Sequence, residues 1–309
     1  MSFAPGALEA LLPLALAWAF DAIHRDWPTA WHPVAWLGRS ASAIEARLFE
    51  ESSSPGRQLA AGTILVVLVV GLAVLVVAGL RKLMPSGPAI VVFEAMVLAS
   101  TSTVSGLLRA AERMRAALDA ENMSAARFAL RSLCSRDPST LDSEALAAGA
   151  IESVAENASD SWVAPLFFYA TFGLIGAVVY RAVNTLDAMY GYRGRMEYFG
   201  KPSARLDDVL NFVPARLTAL LLLLASRSRK RGWRIFLRDR WKTASPNAGQ
   251  PMAMMAGLLG IRLEKAGHYV LGDANRPVTS EQIGDACRLV QRAGAMAAGG
   301  ALVFVGWTG

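Results

Sequence analysis

The chain has 309 residues, 54% of them hydrophobic and 18% charged, with a formal net charge of +6. Soluble domains carry about 25% charged residues, and the mean hydropathy here is +0.35, so the composition excludes an ordinary soluble globular protein. The two cysteines, Cys134 and Cys287, exclude a disulfide scaffold and a cysteine-based metal site, and both read as free thiols.

In chain order, Pro5–Phe20 is a weak first membrane span, interrupted by Glu9 and Pro13. No basic residue precedes it, so it does not read as a cleaved signal peptide. His32 follows in "WHPVAW", and a lone His beside Pro and Trp reads as a packing or hydrogen-bonding residue. Leu59–Leu80 is 22 residues without a charge. About 20 apolar residues cross a bilayer core, so this segment is a membrane helix. Ala89–Leu108 is long enough to span but carries Glu94 and a Ser/Thr-rich stretch. Arg109–Asp137 reads as amphipathic helix broken at Asp119-Ala-Glu-Asn. Two apolar segments are interrupted: Trp162–Val183 by Pro165 and Arg181, and Val209–Ser226 by Pro214 and Arg216. "RSRKRGWR", residues 227–234, reads as a juxtamembrane anchor for acidic lipid heads rather than a nucleic-acid site. Ser245–Gly260, "SPNAGQPMAMMAGLLG", is a polar turn leading into a small-residue helix, and backbone N–H groups at such a start can receive an anion. Leu289–Trp307 is the last span, rich in Ala and Gly that allow close helix contact.

These elements predict an all-α, polytopic integral membrane protein, a single domain over residues 1–309. It should have about four to six membrane-embedded helices, some re-entrant, plus helical cytoplasmic loops. The loops starting at residues 21, 109 and 227 are rich in Lys and Arg and face the cytoplasm under the positive-inside rule. Strict alternation would put Asn184–Asp208 on the other face. Making the two interrupted segments re-entrant or steeply tilted keeps all polar loops on one side, and that is the reading we favour.

The polar residues flanking those segments carry the chemistry. In "AIESVAENASDSWVAPLF", residues 150–167, Glu152, Glu156 and Asp160 recur every four residues, which on a helix stacks like charges on one side. Three Asn/Asp pairs lie three residues apart: Asn157/Asp160, Asn184/Asp187 and Asp208/Asn211. Carboxylate and amide oxygens are hard ligands suited to magnesium, and arginines among them supply phosphate contacts. A divalent cation explains why the acids tolerate one another; structural ion pairs with Arg131, Arg136 or Arg181 are the alternative. Other motifs fail. "GRMEYFGKP" has the wrong spacing for a phosphate loop, no GxSxG occurs, and His24, His32 and His268 are too scattered for a zinc helix.

Four stretches, "AIESVAENASDSWVAPLF", "YRAVNTLDAMYGYR", "FGKPSARLDDVLNFVPARLTALLLL" and "SPNAGQPMAMMAGLLG", together with "HPVAWLGR" and "SRDPSTLD", resemble the CobD/CbiB family, in order from about residue 14 to 272. The chain departs from that pattern in "HRDWP", where the family commonly shows Gly-Asp-Pro, and in "SRDP", where Gly-Arg-Asp-Thr is usual. Both departures bear on turn geometry.

The resemblance implies a multi-pass enzyme of the bacterial inner membrane in the late cobalamin pathway, with its active site on the cytoplasmic side. Such an enzyme joins a propionate carboxylate of adenosylcobyric acid to the amine of (R)-1-aminopropan-2-ol or its O-phosphate, using ATP and Mg2+. Its partners are then the corrinoid and aminopropanol (phosphate) substrates, the lipid bilayer and other late-pathway membrane enzymes, with no nucleic acid. On this reading Glu156, Asn157, Asp160 and Asp187 hold magnesium. Glu152, Asp207 and Asp208 are candidate general bases. Arg136, Arg181, Asn184, Tyr192, Arg193, Asn211, Arg216, Ser245 and Asn247 bind substrate or phosphate. These groups are expected to meet on one membrane face around one magnesium-bound nucleotide. A magnesium-dependent membrane prenyl- or phosphotransferase and a non-catalytic sensory membrane protein are the other classes open.

Overall fold

The computed structural model describes residues 7–23, 30, 32–102, 104–134, 137–192 and 194–308. In chain order the helices are α1 (Ala7–Ile23), α2 (Pro33–Leu48), α3 (Pro55–Leu83), α4 (Pro88–Thr101), α5 (Val104–Asp119), α6 (Met123–Leu130) and α7 (Ser143–Ala158). A π turn, Ser159–Val163, follows, and then α8 (Ala164–Tyr190), α9 (Glu197–Leu210), α10 (Phe212–Ala225), α11 (Arg229–Asp239) and α12 (Gly249–Leu259). Strands β1 (Arg262–Lys265) and β2 (Tyr269–Gly272) precede α13 (Ser280–Thr308). The protein is therefore an all-α polytopic membrane protein. Its one departure among the described residues is the antiparallel hairpin β1–β2, with Arg262 opposite Gly272.

Local chemistry sets the helix starts. Pro33, Pro55 and Pro88 each occupy the first turn of a helix, where the missing N–H is no loss. The Asp142 carboxylate accepts from the Ala145 N–H at 2.8 Å, and the Asn122 side chain accepts from the Ala125 N–H at 3.0 Å. The expected break at Asp119-Ala-Glu-Asn separates α5 from α6, with Glu121 at φ 54°.

Among the described residues four helical stretches are long and apolar enough to cross a membrane: Pro55–Leu83, Pro88–Asp119, Ser143–Tyr190 and Ser280–Trp307. A fifth counts if α9 and α10, bent by 47° at Asn211, form one broken span or re-entrant loop. Of the first expected span, the described part is α1, which holds a shorter apolar stretch at Leu11–Asp21; Pro5 lies outside the described residues. α3 shows the lipid-facing pattern most plainly. Gly62, Leu65, Val66 and Val69 form its buried stripe, while Ile64, Val67, Leu68, Leu72, Leu75 and Val76 are exposed. An apolar residue set on every side, with only one stripe covered by protein, suits hydrocarbon rather than water.

The chain divides into two compact units, one of Met1–Thr103, Ala164–Leu210 and Gly300–Gly309, the other of Val104–Val163 and Asn211–Gly299. In the first, α3 packs on α9, α1 on α4, and α8 on α2, α3, α4 and α9. Its core joins Leu65, Val66, Val69, Leu186, Tyr190 and Phe199. α8 is kinked at Gly173, whose φ of 67° and ψ of −164° only glycine adopts at little cost. In the second, α12 is the central element, and all eleven of its residues are buried. Around it pack α7, α10, α11 and β2.

One buried carboxylate ties the hairpin to α11. Asp239 accepts from the Gly272 N–H at 2.8 Å, from Arg238 Nε and Nη2 at 2.8 Å each, and from Lys242 Nζ at 2.6 Å. Burial alone would raise its pKa, but these donors outweigh it and hold the carboxyl down at about 2. A depressed pKa stabilises the fold fully above the ordinary value of 3.8, and the contribution is lost as pH falls from there toward about 2. We expect Asp239→Ala to cost about 2 kcal/mol in detergent unfolding and Asp239→Asn to cost less, since it keeps an acceptor for Gly272. The gap between wild type and Asp239→Asn should close as the pH is lowered through that window.

Candidate functional site

The second unit brings three of the sequence motifs together. The π turn packs against α10, and α12 packs against both α10 and α7. "ENASDSW", "NFVPAR" and "SPNAGQP" therefore occupy neighbouring elements. The direct link is Arg216, whose Nη1 donates to the Asn247 side-chain oxygen at 3.1 Å across 31 residues of chain. The same Nη1 donates to the Phe212 carbonyl at 2.6 Å. The guanidinium lies 3.6 Å from the Phe212 ring centroid and 5.3 Å from that of Trp241, a stacked cation geometry that lysine does not reproduce. Arg216 Nη2 is buried with no hydrogen-bond partner among the described residues.

The turn before α12 is built by its own polar groups. Ser245 Oγ accepts from the N–H groups of Asn247 at 3.2 Å and Ala248 at 3.5 Å, and Thr243 Oγ1 donates to the Ser245 carbonyl at 2.7 Å. Gln250 Nε2 donates to the Pro246 carbonyl at 3.0 Å. Gly249 is required by close approach: a Cβ there would run into the Arg240 carbonyl and the Thr243 hydroxyl. The helix start, with its positive dipole end, thus lies beside Asn247 and Arg216, a setting that favours an anion.

α7 carries the first acidic cluster. Glu152 is buried, and Asn157 Nδ2 donates to the Ser153 carbonyl at 3.0 Å and the Ser153 hydroxyl at 3.2 Å. The Asn157 nitrogen is committed to its own helix, so its oxygen is the atom it offers elsewhere. Ser153 in turn donates to the Leu133 carbonyl. Glu152 and Glu156 lie on α7, which ends at Ala158, and Asp160 lies in the π turn, so the three acids do not share one regular α-helix. The Asp208/Asn211 pair is likewise not on one helix, because Asn211 is the N-cap at the bend before α10. Of the three pairs only Asn184/Asp187 lies within a continuous α-helix.

The first unit gathers a second set. Asn184 Nδ2 donates to Asp207 Oδ1 at 3.3 Å between α8 and α9, and Arg181 Nη1 reaches the Asn184 oxygen at 3.5 Å. Asp207 is buried, Asp208 half-buried and Tyr192 exposed. Asp187 stands one turn beyond Asn184. His32, read from sequence as a packing or hydrogen-bonding residue, is a hydrogen-bonding one and also feels the Arg181 charge of this set. Its Nδ1 accepts from the Val34 N–H at 3.2 Å as the N-cap of α2. Burial, and then the Arg181 charge, hold its pKa below the ordinary value. A His directly before a helix-starting Pro was the available signal. Arg240 and Trp241, against Arg216, gave none. Arg136 and Arg193, and the "HRDWP" turn with Asp26, lie outside the described residues.

Among the described residues, no three His, Cys, Asp or Glu side chains are grouped so as to hold a metal ion unaided. Magnesium commonly needs only one or two carboxylates when ligand phosphates complete its shell.

A family model described as CobD/Cbib protein matches residues 14–293. The chain is 44% identical to "Cobalamin biosynthesis protein CobD" of Dehalococcoides mccartyi, over 93% of this chain and 94% of that one. It is 42% identical to "Probable cobalamin biosynthesis protein CobD" of Thermococcus kodakarensis, over 85% of each. It is 38% identical to "Cobalamin biosynthesis protein CobD" of Rhodobacter capsulatus, over 90% of this chain and 87% of that one. No solved structure matches. For the turn before α12, Gly249→Ala is expected to cost about 2 kcal/mol by displacing the Arg240 backbone, read as a lowered unfolding temperature in detergent. An unchanged temperature would mean that the turn relaxes freely.

Proposed function

Since the chain belongs to the CobD/CbiB family of cobalamin biosynthesis, we propose that it is a ligase that forms an amide. The bond joins a propionate carboxylate of adenosylcobyric acid to the amine of (R)-1-aminopropan-2-ol or its O-phosphate, with cleavage of ATP. The observation that carries this reading is the Arg216–Asn247 contact, which unites the polar ends of α10 and α12 beside the acidic cluster of α7 and the π turn. That assembly offers anion contacts and hard oxygen ligands in one unit, as phosphoryl transfer requires.

A carboxylate does not condense with an amine in water unaided. In the proposed reaction the carboxylate oxygen attacks the γ-phosphorus of ATP, ADP leaves, and the acyl phosphate is attacked by the free amine. The C–O bond to phosphate breaks, inorganic phosphate departs, and the amine proton passes to a carboxylate base. Glu152, Asp207 and Asp208 are the candidate bases. Arg216, with Asn247, Ser245 and Asn211, would bind phosphate or substrate amides; Arg181, Asn184 and Tyr192 would do so in the first unit. Magnesium, when bound, would neutralise phosphate charge, with Glu156, Asn157 and Asp160 of the second unit as candidate ligands; Asp187 is a candidate carboxylate of the first unit. We place the enzyme in the bacterial inner membrane with its chemistry on the cytoplasmic side, as the basic loops favour.

The test is a reaction of the purified chain in detergent with adenosylcobyric acid, ATP, magnesium and each aminopropanol form. Amide product by mass spectrometry is expected with one of them, and none with either would overturn the proposal. Asp160→Asn should abolish turnover in a folded, membrane-inserted protein. Arg216→Lys, which keeps charge but loses the planar fork, should lower kcat/KM by about a hundredfold, on the order of 2.7 kcal/mol. Full activity in either variant would remove that residue from its assigned role.

A further inference from the structure

α11 has a face that the proposed reaction leaves unexplained. Gly232, Ile235, Phe236 and Asp239 form its buried side, where Gly232 lies against Leu258 of α12. Trp233 and Leu237, spaced four residues apart, run along the opposite side, and Trp241 follows in the turn just past the helix end. They are 45%, 48% and 56% exposed. Large apolar side chains in a row of this kind are uncommon on a surface that meets only water.

The charge around the ridge has one sign. Residues 227–242 hold eight Lys and Arg against a single Asp. Some of these have internal work. Arg229 donates to the carbonyls of Ser226 at 3.1 Å and Leu224 at 2.9 Å, closing the end of α10. Arg234 and Arg238 pair with Asp273, and Lys242 pairs with Asp239. Arg227 and Lys230 are exposed, and neither has a carboxylate partner among the described residues. An apolar aromatic ridge set among basic side chains is the pattern of a helix lying at a bilayer surface, where Trp favours the headgroup level and Lys and Arg meet lipid phosphates.

The chain order agrees. α10 is the apolar half of the bent pair that meets the length and composition of a span. It ends at Ala225, and α11 begins at Arg229. α11 therefore starts within one turn of the point where an apolar helix ends.

We propose that this face of α11 is a docking surface for an anionic phospholipid leaflet. Trp233, Leu237 and Trp241 lie at the acyl boundary, and Arg227 and Lys230 lie against lipid phosphates. The proposal rests on the exposed face and does not depend on the ligase reading.

The test uses the full chain with Cys134 and Cys287 replaced by Ser and one spin label per protein. Labels are placed through Arg229→Cys, Trp233→Cys, Leu237→Cys, Arg238→Cys and Trp241→Cys, with Ile235→Cys as the buried reference. Each variant goes into nanodiscs of phosphatidylcholine, with and without phosphatidylglycerol, and collision with oxygen and with a water-soluble nickel chelate is measured. The expected result is an oxygen-to-nickel ratio several-fold higher at 233, 237 and 241 than at 229 and 238, rising further with phosphatidylglycerol. Arg227→Gln with Lys230→Gln should remove that rise. Labels on the ridge that meet the nickel chelate freely in both discs would overturn the proposal. Ridge labels shielded from both reagents like the Ile235 reference would also overturn it, because protein, a second copy of this chain, would then cover the face.

Discussion

Hydrocarbon offers no hydrogen bonds, and every irregular stretch of backbone at membrane depth must be satisfied by the protein itself. That constraint organises this chain. Among the described residues, its apolar helical segments are interrupted by a π turn at Ser159–Val163, a glycine kink at Gly173 and a 47° bend at Asn211. Two of the three carry polar side chains. Asp160 lies in the π turn, and Asn211, buried, caps α10 at the bend. Departures from regular helix expose backbone groups and redirect side chains, and both are needed where a polar ligand is to be held.

Small residues let these broken elements close on one another. α12, with its Gly, Ala and Met composition, is buried throughout and so can be touched on every side by α7, α10 and α11. Gly249 admits the Arg240 backbone to the start of α12. This packing holds Arg216 on Asn247 and places the aromatic rings of Phe212 and Trp241 about the guanidinium. The Asp239 network serves the same unit differently, by fastening to α11 with charge a hairpin whose Leu263 and Leu271 are buried in the core.

Much of this was legible in the residues. An uncharged run of 22 residues had one physical outcome, and the break after Asp119 followed from local chemistry. The ordered polar motifs led to the family match over residues 14–293. The register within "ENASDSW" was not legible, because a π turn differs from an α turn by one residue and nothing in side-chain spacing announces it. Nor was the relation of His32 to Arg181, which lies 149 residues further along the chain.

By itself, then, the amino-acid order determined that this is a membrane-embedded helical protein and which polar residues stand at its interrupted segments. Those properties depend on neighbours within a few turns. Only the tertiary structure decided which motifs share a surface: Arg216 with Asn247, Asn184 with Asp207, and a Trp–Leu ridge left facing outward on α11. Such pairings are set by the packing of whole helices, and the bend at Asn211 and the turn at Ser159 aim those helices through backbone angles that side-chain periodicity does not encode.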